Sequence, residues 1–181
     1  MEKIMKPIVL SVFLFILVSV IPQGSGASQS SPGETVKAPD GLYEFNLTGE
    51  WKEVPGTGGK IEKMFVTGDS AGRFFVLRIS NPPHSEIKED QLKAFIEGLK
   101  QRYKNLKEIS SKMLEKNGVP VGRVLFTYTA DTPGGPLEIH NYCEIMIHKK
   151  AYLNTCGVAP ESEWAKKREQ ILKIFASWKL L

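Results

Sequence analysis

Apolar and polar positions change rhythm five times along this chain, and each change marks an element. Residues Ile8 to Ile21 form one apolar run behind Lys3 and Lys6, with Ser25-Gly26-Ala27 after it. From Ser28 to Asp40 apolar side chains almost vanish. From Leu42 the pattern becomes period-two: Leu42 to Leu47 and Trp51 to Val54 read as short extended pieces around a Thr48-Gly49 turn. Lys60 to Thr67 and Arg73 to Ser80 follow as strands rich in Val, Ile and Phe. In the second strand Phe74 and Val76 fall on one side, and Phe75, Leu77 and Ile79 on the other. Apolar side chains on both faces require a sheet covered on both faces.

Between Ser85 and Tyr103 the period lengthens. Leu92, Phe95, Ile96, Leu99 and Tyr103 recur at three and four residues and define one helical stripe. Glu86, Glu89 and Asp90 lie toward its N-terminal end and Lys100, Arg102 and Lys104 toward the other, which matches the helix dipole. Period two then returns. Asn117-Gly118 between two extended runs is a strong signal for a type I′ hairpin. Its register sets Glu115 opposite Pro120 at a non-hydrogen-bonded site, where proline removes no ladder bond. The same register sets Ile109 opposite Phe126 on one face and Leu114 opposite Val121 on the other. A third strand, Leu137 to His148, and a fourth, Ala151 to Val158, are joined by a Lys149-Lys150 turn and complete a four-strand antiparallel meander. A last helix starts near Glu161, behind Pro160, and carries Trp164, Ile171, Phe175 and Trp178 on its buried stripe. The sum is an α+β fold, with a central antiparallel sheet and helices flanking it.

The domain plan follows. Residues 1–27 read as a Sec-type signal peptide with cleavage after Ala27, since the apolar core is shorter than the ~20 residues of a membrane span. Residues 28–40 read as a flexible linker, and 41–181 as a single domain. Membrane contact is expected only if the signal stays uncleaved, and the protein is expected to be periplasmic or secreted. No cysteine precedes Cys143, so the lipid attachment site of a lipoprotein is missing. Without residues 1–27 the chain keeps 22 basic and 19 acidic side chains, a mild excess. Lys104, Lys107, Lys112 and Lys116 are interleaved with Glu108 and Glu115 rather than with aromatic residues. That pattern reads as a solvated face, with a patch for anionic lipid or polymer as the alternative, and gives no support to a base-stacking platform, so no nucleic acid is expected.

The two cysteines lie on the strands that flank Lys149-Lys150. If His148 pairs with Ala151, Cys143 faces Cys156 at a non-hydrogen-bonded site with Cα atoms ~4.5 Å apart, within reach of a disulfide. An oxidising compartment would preserve the bond. The alternative is two buried thiols packed with Ile139, Ile145, Ile147 and Tyr152.

Patterns that resemble chemistry fail on context. Gly68-Asp69-Ser70-Ala71-Gly72 matches G-x-S-x-G, but strands lie on both sides where a nucleophile elbow needs a following helix. Gly58-Gly59-Lys60 lacks the remaining residues of a phosphate loop, with Val54 and Ile61 in their places. His140 and His148 share a strand face roughly 26 Å apart, and His84 is a loop residue. Glu138 and Glu144 are ~20 Å apart on one strand, too far for a glycosidase pair. Asn46-Leu47-Thr48 is a glycosylation sequon, idle in a bacterium. The expectation is therefore no enzyme, with no catalytic, metal or cofactor-binding residue and no cofactor.

Gly49-Glu50-Trp51, the run Asn117-Gly118-Val119-Pro120-Val121-Gly122, Ala151-Tyr152-Leu153-Asn154-Thr155 and the closing Ile174-Phe175-Ala176-Ser177-Trp178 appear in a set order. In that order the chain resembles the PsbP-like superfamily over about residues 41–181, especially its bacterial DcrB-like secreted members. The resemblance implies a three-layer α/β/α sandwich. Plant members are non-catalytic photosystem subunits, a eukaryotic relative of the same fold, from the Mog family, binds the GTPase Ran, and bacterial relatives are envelope proteins. It thus implies a monomeric, exported binding or assembly protein with an envelope protein as partner. The alternative is a periplasmic carrier of a small ligand, lipid or metal.

Overall fold

A computed structural model describes residues 33–56 and 60–181. The signal-peptide reading, its cleavage after Ala27, the first part of the linker and residues Thr57 to Gly59 of the phosphate-loop comparison lie outside the described residues. The strands are β1 (Thr35–Lys37), β2 (Tyr43–Asn46), β3 (Trp51–Glu53), β4 (Ile61–Thr67), β5 (Arg73–Ser80), β6 (Lys104–Lys116), β7 (Val119–Thr132), β8 (Gly135–His148), β9 (Ala151–Pro160) and β10 (Lys179–Leu180). The helices are α1 (Glu89–Arg102) and α2 (Glu161–Ser177).

The main sheet has seven strands in the order β3-β4-β5-β9-β8-β7-β6, every neighbouring pair antiparallel. The four-strand meander occupies one side of it. β9, last in sequence, pairs with β5 on its free edge, from Arg73 opposite Val158 to Ser80 opposite Ala151. The apolar residues divide into two clusters by strand parity. Phe74, Val76, Val121, Met146 and Leu153 pack with Ile171, Ile174 and Phe175 of α2. Phe75, Val124, Phe126, Cys143, Ile145 and Cys156 pack with Leu92, Ile96 and Leu99 of α1. Each helix is seated over a strand glycine. A Cβ on Gly122 would meet the Leu92 side chain at 2.9 Å, and one on Gly157 would meet Ile171 at 2.2 Å.

α1 begins at Glu89 rather than near Ser85. Lys88 caps it, and its backbone N–H donates to the Gln91 side chain. Two further expectations are corrected, and the sheet membership of two short pieces, which the alternation left open, is settled. Within the linker assigned to 28–40, Thr35–Lys37 is a strand. Val36, its one large apolar residue, is buried opposite Phe45, and Ala38 and Leu47 close the ladder by backbone hydrogen bonds. The composition of that stretch conceals a strand because the stabilising surface belongs to its partner. Leu42 to Leu47 and Trp51 to Val54 do not lie in one sheet. β2 joins a three-stranded sheet ordered β1-β2-β10, while β3 is the edge of the large one. Last, Ile109 does not face Phe126. The hairpin register holds from Lys116 opposite Val119 to Ser110 opposite Leu125, then shifts by one so that Glu108 faces Phe126. Ile109 is the extra residue of a β-bulge and is 53% exposed.

The small sheet lies on the α2 side, because Tyr43 and Phe45 belong to the same cluster as α2. Trp178, at the C-terminal cap of α2, stacks on Tyr43 and Phe45 with ring centroids 4.5 and 4.9 Å away. Arg78 of β5 links the two sheets. It pairs with Glu62 at 3.1 Å and Asp40 at 2.6 Å, and Tyr43 donates its hydroxyl to Glu62. Burial and the nearby Glu62 carboxylate push the Tyr43 hydroxyl pKa up, so it stays a donor.

Candidate functional site

The residues singled out from the sequence scatter. Ser70 occupies the turn between β4 and β5 with φ 59°, so the G-x-S-x-G stretch is a hairpin loop without a following helix. Its neighbour Asp69 accepts from the Thr67 hydroxyl and is paired with Lys167 of α2 at 2.5 Å. Those two donors hold the Asp69 carboxyl down to about 2. His140 bonds Glu161 through Nε2 and stacks on Trp164. His148 lies at the other end of the strand, its Nε2 3.0 Å from the Leu181 carbonyl oxygen. His84 belongs to the loop between β5 and α1. Among the described residues no group of three or more His, Cys, Asp or Glu side chains is placed to hold a metal ion. No helix among the described residues is long and apolar enough to cross a membrane.

Cys143 faces Cys156 across β8 and β9 and is joined to it by a disulfide, with Cα atoms 4.2 Å apart. Every pair from Ile139 opposite Pro160 to His148 opposite Ala151 keeps the register that the Lys149-Lys150 turn predicts. Both cysteines are buried in the α1-side cluster, away from any external thiol.

The densest buried charge was not legible in the sequence. Glu144, in the middle of β8, is wholly buried on the α2 side. Arg123 of β7, directly opposite, donates from Nε at 3.0 Å and from its terminal nitrogen at 2.7 Å to one carboxylate oxygen. Lys116 pairs with the other oxygen at 2.6 Å and donates at 2.7 Å to the Phe175 carbonyl at the end of α2. Burial lowers the Lys116 pKa, and the Glu144 carboxylate opposes that. Arg123 also lies over the Tyr142 ring, whose hydroxyl burial pushes up to about 12. With both oxygens engaged by cations and no exposure, Glu144 is a structural anchor rather than an acid or base. It ties the β6–β7 hairpin, β8 and α2 together. The only sequence signal for it is an acid set among Tyr142, Cys143, Ile145 and Met146, in the apolar half of a strand that also carries Glu138.

What remains at the surface is β6. It spans thirteen residues at the sheet edge and carries exposed Lys107, Glu108, Ile109, Ser110, Ser111 and Lys112 in succession. Two register shifts, near Asn105 and at Ile109, break its outer edge, and lysines line it, which blunts uncontrolled strand pairing.

No protein-family model matches the sequence, and no curated protein matches it. Solved structures do match. The cyanobacterial PsbP protein (CyanoP) of Synechocystis sp. PCC 6803 superimposes with a TM-score of 0.63 at 13% identity, over 88% of this chain and 99% of that one. The Saccharomyces cerevisiae Ran-binding protein Mog1p gives 0.57 at 7%, over 86% and 96%. LpqN of Mycobacterium tuberculosis, involved in cell envelope biogenesis, gives 0.54 at 10%, over 86% and 90%.

Proposed function

We propose that this chain, whose fold is that of PsbP and Mog1p, is an exported, non-enzymatic binding or assembly protein of the bacterial cell envelope. It works through protein–protein contacts. We read its architecture as a three-layer α/β/α sandwich, with α1 and α2 as the outer layers. The observation that carries the reading is a contrast within one molecule. The buried charge at Glu144 and the half-exposed one at Asp69 are both consumed in ion pairs that hold elements together, while the longest uncovered feature is the β6 edge with Ile109 at its bulge. Mog1p is named for binding Ran and LpqN for a part in cell envelope biogenesis, so this fold serves both kinds of role elsewhere. The buried disulfide agrees with work outside the cytoplasm.

A photo-crosslinking residue placed at Ile109, in cells making the full chain, tests this against the same residue at Glu169 on the outer face of α2. The expected result is one protein adduct of defined mass from position 109 and none from 169. A stoichiometric small molecule in native mass spectra, with no adduct at either position, would overturn it in favour of a carrier.

A further inference from the structure

Away from β6, the loop that leaves β5 folds over the turn between β8 and β9. The Asn81 amide donates to the Lys150 carbonyl at 2.8 Å, and the two segments border an open surface cavity of about 360 Å³. Asn81, His84, Ser85 and Lys150 line it with side chains that can all donate hydrogen bonds, Ile147 adds an apolar wall, and Pro82-Pro83 stiffens the rim. No carboxylate lines it. The neighbouring Glu86 is taken by Lys88 at 3.3 Å, and Glu89 by Lys93.

The turn beneath it is conformationally costly. Lys149 and Lys150 both have positive φ, 44° and 62°, the type I′ geometry for which Asn-Gly is favoured. The chain uses Asn117-Gly118, with φ 50° and 76°, for its other two-residue turn of this kind. At 149–150 it instead holds two cations in the left-handed region, and no ion pair among the described residues engages either lysine. Strained backbone clusters at ligand sites, and this strained turn borders a cavity lined by hydrogen-bond donors.

We propose that this cavity binds a phosphate ester group. Lys150 brings a point charge, and His84, Ser85 and Asn81 bring three further hydrogen-bond donors to the lining. That arrangement suits a tetrahedral anion better than a planar carboxylate, which the flat fork of an arginine would match. Ile147 and the prolines accept a small apolar body on the ester. The site is independent of the β6 surface, so either assignment can fail alone.

The test is an amide NMR titration of the protein from expression of the full chain, with glycerol 3-phosphate and, separately, sodium chloride at matched ionic strength. Saturable shifts at Asn81, His84, Ser85 and Lys150 with the ester alone are expected. The double variant K149N/K150G relieves the turn, so it should melt at a higher temperature than the parent while binding the ester at least tenfold more weakly. Sedimentation with phosphatidylglycerol vesicles separates the sources: binding there identifies a lipid headgroup, and a response to the free ester alone identifies a soluble one. Equal shifts with sodium chloride, undiminished binding by the double variant, or no response to ester or vesicles would overturn the proposal.

Discussion

At the scale of single residues, Glu144 carries the largest electrostatic commitment in the molecule. A buried carboxylate held by two cations contributes little net stability relative to an apolar replacement, yet removing one member leaves buried charge uncompensated. Glu144→Ala should therefore destabilise the protein by about 3–5 kcal/mol in urea unfolding, because Lys116 and Arg123 both lose their counter-ion. Asp69 is different, being half exposed. Its carboxyl is held at about 2 by Lys167 and Thr67, below its ordinary value near 4 in an unfolded chain. Because the folded pKa is the lower one, the contribution is fully present above pH ~4 and is lost as pH falls toward 2. Asp69→Asn should flatten the fall in melting temperature between pH 4 and pH 2, with the two curves offset but parallel above pH 5. Neither residue was readable beforehand. Glu144 is one of two acids on β8 and nothing local marks it as the buried one, and Asp69 lies within a catalytic-looking pentapeptide, so its partner 98 residues away had no local trace.

Whole elements were read more reliably, and the failures share a cause. The meander, both two-residue turns and the 143/156 pairing follow from local periodicity and turn chemistry, which contain their own register. What went unseen were β1 and β10, two- and three-residue strands stabilised by β2, and the bulge that ejects Ile109. Such features depend on a partner's surface or on a one-residue insertion, and alternation cannot register either. Helix seating is equally invisible, since it depends on a glycine being absent of side chain where a helix crosses. Gly157→Ala would drive a methyl into Ile171, a residue with no exposure, and overpacking of this kind costs about 1–3 kcal/mol. Thermal melts should show the loss, and Ile171→Val in the same chain should recover part of it.

Across the molecule, two sheets share one side of the core, joined by Trp178 against Tyr43 and Phe45 and by Arg78 between Asp40 and Glu62. Trp178→Ala removes the stacked ring and should cost about 3–5 kcal/mol. Hydrogen exchange should localise the damage: amides of β1, β2 and β10 should lose protection first, while those of β7 and β8 keep theirs. If all strands lose protection together, the small sheet is not a separable unit. The division of the core into two faces was legible from Phe74 to Ile79 alone, but the attachment of a second sheet to one of them was not.

The position of β9 has a consequence for the order of events in time. β5 is complete once Ser80 exists, yet its partner begins only at Ala151, after a helix and three strands have been made. A chain that emerges N-terminus first therefore holds β4 and β5 with an open, apolar edge until nearly the whole polypeptide is present, and a long loop must close before the sheet is joined. The meander can assemble from neighbours alone; β3 to β5 cannot finish without the last strand of that meander. Such a chain stays unfinished until its last strands are made and closes late, with Trp178 arriving last to cover the aromatic residues that have waited for it.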